Sequence, residues 1–195
     1  RRRCGGWRPS RRPGRLGGLW LPLADGSTAQ QDITLTPEML DVERLVGPAS
    51  AKGDLRTWGD IIQTRDAYLR IPWVEAILGC PIRASIQGGA MRAGHLSHPW
   101  KALTDDSTGA AWLELLQRMV RLLVERSGGQ FAITHTLMRG TSDLAEAALG
   151  PELMCLSQYD HPAELRAFLE RAAQHFIAIW RAQFELIPQL EHGYV

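Results

Sequence analysis

Cysteine is scarce in this chain of 195 residues: Cys4, Cys80 and Cys155 are few, odd in number and far apart. They offer neither a disulfide framework nor a metal-ligand spacing, so a reduced, cytoplasmic setting is the expectation. No apolar run approaches the roughly 18 residues of a membrane span, and no membrane association is expected. The common catalytic signatures are also missing. There is no P-loop, G-x-G-x-x-G, G-x-S-x-G, H-E-x-x-H or paired C-x-x-C, which weakens nucleotide, α/β-hydrolase and zinc-protease readings. Hydrophobic residues at 45% and charged residues at 22% are ordinary globular usage and argue against wholesale disorder.

Acidic residues are absent before Asp25, whereas seven of the 22 basic residues are Arg1, Arg2, Arg3, Arg8, Arg11, Arg12 and Arg15. Taking those seven from 22 leaves 15 basic against 21 acidic residues, so the formal net charge of +1 becomes about −6 without the arm. The segment 1–35 reads as an Arg- and Gly-rich stretch that is disordered or not native to the fold. Contact with nucleic acid or a transit-peptide role are weaker readings of it. Pro22 interrupts the only apolar stretch there, which argues against a signal peptide. A first residue other than Met suggests that the true start lies further upstream.

The segment 36–195 is expected to form the folded domain. Thr36-Pro37-Glu38 supplies an N-cap, an N1 proline and a first-turn acid for a short helix that Gly47-Pro48 ends. A mixed segment of uncertain type covers 55–69. A second short helix runs from Pro72 to Gly79, and a strand is expected over 82–86. The interval 88–99, with three glycines and a proline, reads as a long loop. Trp112, Leu115, Leu116, Met119, Leu122 and Leu123 form one stripe at helical spacing. A strand over 130–138 follows, then a helix capped at Thr141 or Ser142 and a brief helix over 152–156. The longest helix spans about 163–186, with a stripe from Leu165 through Trp180, and a further strand begins near Gly193. Trp73, Trp112 and Trp180 are expected in the core, and Cys80 reads as a small buried hydrophobe. This helix–strand alternation is an α/β rhythm with crossovers long enough for parallel strands. A (β/α)8 barrel takes about 250 residues, so the expected architecture is a partial, truncated TIM barrel.

The stretch Thr134-His135-Thr136-Leu137-Met138-Arg139-Gly140-Thr141-Ser142-Asp143 lies where a strand hands over to a helix, the functional face of such a barrel. Arg139 could grip a carboxylate through its planar fork, and His135 could act as acid, base or hydrogen-bond donor. The plainer alternative makes His135 a core histidine and Asp143 a first-turn acid. Arg92, His95 and His98 form a second cluster, in which His95-x-x-His98 would need further ligands to bind a metal.

The run Tyr68-Leu69-Arg70-Ile71-Pro72-Trp73-Val74-Glu75-Ala76-Ile77-Leu78-Gly79-Cys80-Pro81-Ile82 resembles a segment of the uroporphyrinogen decarboxylase superfamily. The later stretch from Leu137 through Gly150, followed by the Tyr159-Asp160-x-Pro162-Ala163-Glu164 helix start, resembles the same superfamily in order and spacing. The resemblance covers roughly 36–195 and implies a (β/α)8 barrel. It also implies decarboxylation of tetrapyrrole acetate groups without a cofactor, with arginines holding the acidic substrate and an aspartate stabilising the protonated pyrrole. Relatives are corrinoid- or thiol-linked methyltransferases, whose zinc ligands, His and Cys, would lie beyond Val195.

On that resemblance His135 and Asp143 are the catalytic candidates, and Arg139, Arg70 and Arg92 the substrate-binding ones, with no metal. Aligning Leu78-Gly79 to the family's turn puts Arg70 where the aspartate stands, and Asp60 and Asp66 do not align without gaps. Ala147 or a neighbour replaces a family tyrosine, and Arg11-x-x-Gly14-Arg15 faintly matches the N-terminal arginine motif. The expected ligand is a small acidic, tetrapyrrole-like molecule, nucleic acid is not the favoured partner, and the full-length enzyme would be a homodimer. The isolated piece is expected to be inactive, and a non-catalytic binding relic is the further alternative.

Overall fold

The structure is a computed structural model that describes residues 18–47, 64–101, 107–129 and 131–190. The Arg-rich arm, most of the uncertain segment 55–69 and the strand expected near Gly193 lie outside the described residues.

The folded body begins well before residue 36. Leu19, Leu21, Ala29 and Leu35 all belong to the buried core, and β1 (Ile33–Leu35) is a full member of a sheet. The helix expected after Thr36 forms in two pieces, a 3-10 turn over Pro37–Met39 and α1 over Val42–Val46. The break falls at Leu40, which is buried in extended conformation and bridges Leu23. Asp41 then restarts the helix, its Oδ1 accepting from Arg44 N at 3.0 Å.

β3 (Ile82–Ser85) pairs antiparallel with β1 on one side and with β4 (Ala90–Ala93) on the other. The interval 88–99 is therefore not one long loop. Its glycines make the tip of a hairpin: Gly89 sits at φ +68°, and a Cβ on Gly88 would lie 2.8 Å from Ser85 Oγ. Ile82 and Ala84 turn into the core while Arg83 is exposed.

Parallel pairing occurs between β2 (Thr64–Arg65) and β5 (Ala132–Ile133), with Thr64 opposite Ala132 and Arg65 opposite Ile133. The strand expected over 130–138 thus shrinks to a short ladder extended by Thr134 N donating to Arg65 O at 2.9 Å. The chain then leaves the sheet because Thr136 N finds a side-chain acceptor, Gln183 Oε1, at 2.8 Å. The architecture is mixed α/β, and the described residues form no closed barrel.

α2 (Trp73–Ile77) is buried on every face. α3 (Ser107–Ser127) packs its Trp112–Leu115–Leu116–Met119–Leu123 stripe against α1, α2, β5 and α6. Trp73 and Trp112 meet edge to face at 6.0 Å, and the Trp73 indole donates to Ala67 O at 2.7 Å. α4 (Thr141–Leu149), α5 (Pro151–Asp160) and α6 (Pro162–Phe184) follow in close succession, α4 and α5 both packing on α6. The brief helix expected at 152–156 is twice as long because Gly150, at φ +83°, turns the chain and Pro151 occupies the first helical position.

Leu165, Phe168, Ala172 and Ile179 form the buried stripe of α6. Trp180 does not join it. It lies one residue, or about 100° of helix, past Ile179, is 42% exposed, and rests on Phe184 with ring centroids 4.2 Å apart.

Candidate functional site

β5 hands over to α4 through the segment 134–140, and the N-terminus of α4 is closed locally. Gly140 N donates to Asp143 Oδ2 at 3.1 Å, so Asp143 caps the helix as a first-turn acid. Arg139, just before the cap, reaches back to α2, where its Nη1 donates to Glu75 Oε1 at 3.0 Å. The pair is unequal in environment: the Glu75 side chain is 1% exposed and that of Arg139 47%. A carboxylate on a helix buried all round needs a cation, and Arg139 supplies it. The second Glu75 oxygen, Oε2, is buried without a hydrogen-bond partner among the described residues. The contact from Arg139 Nη2 to Asp143 Oδ1 is longer, at 3.8 Å.

Glu75 therefore fixes one edge of the Arg139 guanidinium. The remainder faces a cavity of about 410 Å³, whose charged and polar wall is Arg92, His95, Arg139, Asp143 and Glu146. Arg92 lines it from β4, and Asp143 and Glu146 line it from α4. His95, just after β4, joins the two walls: its Nδ1 lies 3.0 Å from Ala147 O, and Leu96 N donates to Ala148 O at 2.9 Å. A Cβ on Gly150 would stand 3.2 Å from His95 Nε2, so the ring lies close against the end of α4.

Three of the five expected site residues, Arg92, Arg139 and Asp143, thus share one cavity. His135 and Arg70 do not line it. The His135 ring contacts its neighbour's carbonyl, Nδ1 to Thr136 O at 2.7 Å, and packs on Phe184 of α6 at 5.8 Å. Arg70 instead ties the loop after β2 to the hairpin tip, donating from Nη1 to Gly89 O at 2.6 Å. That loop is strained, with Leu69 at φ +40° and Arg70 at φ +65°. Non-glycine residues in this left-handed region cost about 1–3 kcal/mol each and persist where surrounding contacts hold them. His98 is exposed, and no group of three His, Cys, Asp or Glu among the described residues is placed to hold a metal ion.

Two residues central to this geometry are not among the sequence candidates. Glu75 is the one acid in the run Trp73-Val74-Glu75-Ala76-Ile77-Leu78, and that isolation is the signal that could have found it. Gln183 is fully buried and clamps the loop between β5 and α4. Its Oε1 accepts from Thr136 N, and its Nε2 reaches Ile179 O at 3.3 Å and Met138 Sδ at 3.5 Å. Gln183 continues the buried α6 stripe four residues after Ile179, so a polar residue in an apolar register was its signature.

Cys80 is buried and lies near the same carboxylate. Burial, and then the Glu75 charge, push its thiol up to about 12, so it stays protonated and inert at neutral pH. No protein-family model, curated protein or solved structure matches this chain.

Proposed function

We propose that this chain is part of a uroporphyrinogen decarboxylase-like barrel enzyme, a cofactor-free carboxy-lyase, and that the cavity between β4 and α4 holds a carboxylate of its acidic, tetrapyrrole-like substrate. The observation that carries this reading is Arg139, placed after the second of two parallel strands, oriented by buried Glu75 and lining one cavity with Arg92. On this reading β2 and β5 are neighbouring strands of a truncated (β/α)8 barrel, and the loops that follow them form its functional face.

The chemistry assigned to these residues is binding and orientation. Arg139 keeps guanidinium N–H groups free after its bond to Glu75, and Arg92 has no acidic partner among the described residues. Together they hold the substrate as a planar anion through charge-assisted hydrogen bonds. Asp143 caps α4 and borders Arg139, which makes it a positioning residue. His135 faces Phe184, so the proposal does not route the reaction through it.

Uroporphyrin, the stable oxidised form of the tetrapyrrole, tests the reading through quenching of tryptophan fluorescence in the full 195-residue chain. Saturable quenching is expected, stronger for the carboxylate-rich macrocycle than for coproporphyrin. A hydrogen bond to a charged group is worth about 1.5–3 kcal/mol, so Arg139→Ala and Arg92→Ala are each expected to weaken binding by about 10- to 100-fold. Binding indifferent to both substitutions, or no saturable binding at all, would remove the proposal.

A further inference from the structure

The three-stranded sheet carries a second concave surface on its outer side. Its strands are in register so that Thr34 stands beside Arg83, and Arg83 beside Arg92. All three side chains are exposed. Residues directly opposite on antiparallel strands have Cβ atoms about 4.5–5.5 Å apart, so the two arginine stems rise side by side. Like charges in that position oppose folding. Neither arginine has an ion-pair partner among the described residues.

The hollow they border measures about 460 Å³. Asp32 is its one acid, and both Asp32 oxygens are engaged: Oδ1 accepts from Ile86 N at 2.7 Å and Oδ2 from Ser85 Oγ at 3.0 Å. Asp32 therefore braces the hairpin against β1, leaving the two guanidinium groups without an acidic partner among the described residues.

We propose that this outer face binds the phosphate group of a small molecule, with Arg83 and Arg92 gripping it from adjacent strands and the Thr34 hydroxyl donating from the third. A phosphate monoester carries a charge of about −1.5 to −2 and three acceptor oxygens, which suits two guanidinium forks. A monocarboxylate can bridge two guanidinium groups but brings only one charge. Here, unlike Arg139 with its Glu75 partner, neither arginine is offset by an acid among the described residues. An anion between them also offsets the repulsion of the two adjacent arginines. The site goes beyond the carboxylate cavity, with which it shares only Arg92. Arg83 belongs to this face alone and separates the two.

Phenyl phosphate titrated into the full chain and followed by phosphorus NMR is the test, with benzoate as the monoanionic competitor whose affinity is read from the displacement of bound phenyl phosphate. Saturable binding is expected, at least tenfold tighter for phenyl phosphate than for benzoate. Arg83→Gln is expected to weaken it at least tenfold, Thr34→Val by a few-fold, and Arg139→Gln not at all. Removing one of two abutting charges should leave the ligand-free melting temperature of Arg83→Gln equal or higher, which verifies folding. Phosphate binding that survives Arg83→Gln overturns the proposal, as does loss in parallel with Arg139→Gln or equal affinity for benzoate. An oligonucleotide that binds more tightly than phenyl phosphate, with steep salt dependence, would overturn it in favour of a nucleic-acid backbone.

Discussion

Arg139 and Glu75 form a pair whose two ends face different costs. The arginine is half in water, so losing its partner returns it to solvent at little expense. The glutamate is 1% exposed, so losing Arg139 strands a carboxylate in the core. Breaking a buried pair costs about 3–5 kcal/mol, and the half-exposed arginine end reduces that to about 2–3 kcal/mol here. Arg139→Ala is therefore expected to be destabilised by that amount, and Glu75→Gln by about 1 kcal/mol or less, since glutamine still accepts from Arg139. Adding Glu75→Gln to Arg139→Ala should recover much of the loss, which urea denaturation of the four proteins would read directly. Equal losses in the two single variants, or additive ones in the double, would show that the pair is not coupled as described. Arg139 was legible in the sequence because strand, loop and helix signals put it at a handover point. Glu75 was not, because the apolar pattern around it marks burial but does not name the cation that must accompany a buried acid.

At the scale of elements, legibility followed the strength of the repeat. The long stripes of α3 and α6 fixed their existence and inward faces, with Trp180 lost by a single residue's rotation. The β3–β4 hairpin was half legible: β3 alternates cleanly, whereas Ala90-Met91-Arg92-Ala93 has no apolar alternation and its glycine-rich approach resembles a loop. The short reach of β5 depended on Gln183, some fifty residues away, which no local pattern could supply. One element contact is unusually close. The first turn of α3 lies on the end of α2, and a Cβ on Gly109 would stand 1.8 Å from Ile77 O and 2.7 Å from its carbonyl carbon. Both are backbone atoms, so the two helices would have to separate. Gly109→Ala would gain about 1 kcal/mol of helix propensity, whereas forcing atoms into a packed contact costs about 1–3 kcal/mol and sometimes more. The clash is severe enough to win. Net destabilisation with a shifted Trp112 near-ultraviolet signal is expected, and a stabilised variant would mean that α2 and α3 do not approach so closely.

For the whole molecule, sheet pairing contributes modestly to the fold. The parallel pair is two residues long on each strand and the antiparallel sheet has only three short strands, so stability rests on the apolar core shared by helices and sheet. Residues 18–35 are part of that core although their sequence reads as the end of an Arg- and Gly-rich stretch. Leu21 is fully buried, Leu19 and Leu35 nearly so, and β1 covers one edge of β3. Burying a leucine is worth about 1.5–3 kcal/mol, so these three represent about 5–9 kcal/mol as an upper bound. A domain of this kind is stable by about 5–15 kcal/mol in total. A chain beginning at residue 36 would also expose the edge of β3 and leave apolar neighbours of Leu21 and Leu35 in water. It is therefore expected to be largely unfolded or aggregated where a chain beginning at residue 18 remains cooperative, as circular dichroism melts and gel filtration of the two would show. If the shorter chain melted cooperatively within a few degrees of the longer one, the N-terminal leucines would be ornament on a core that closes without them. The cavity walled by β4 and α4 would then owe nothing to β1, and the hairpin that presents Arg83 and Arg92 would have to hold its register alone.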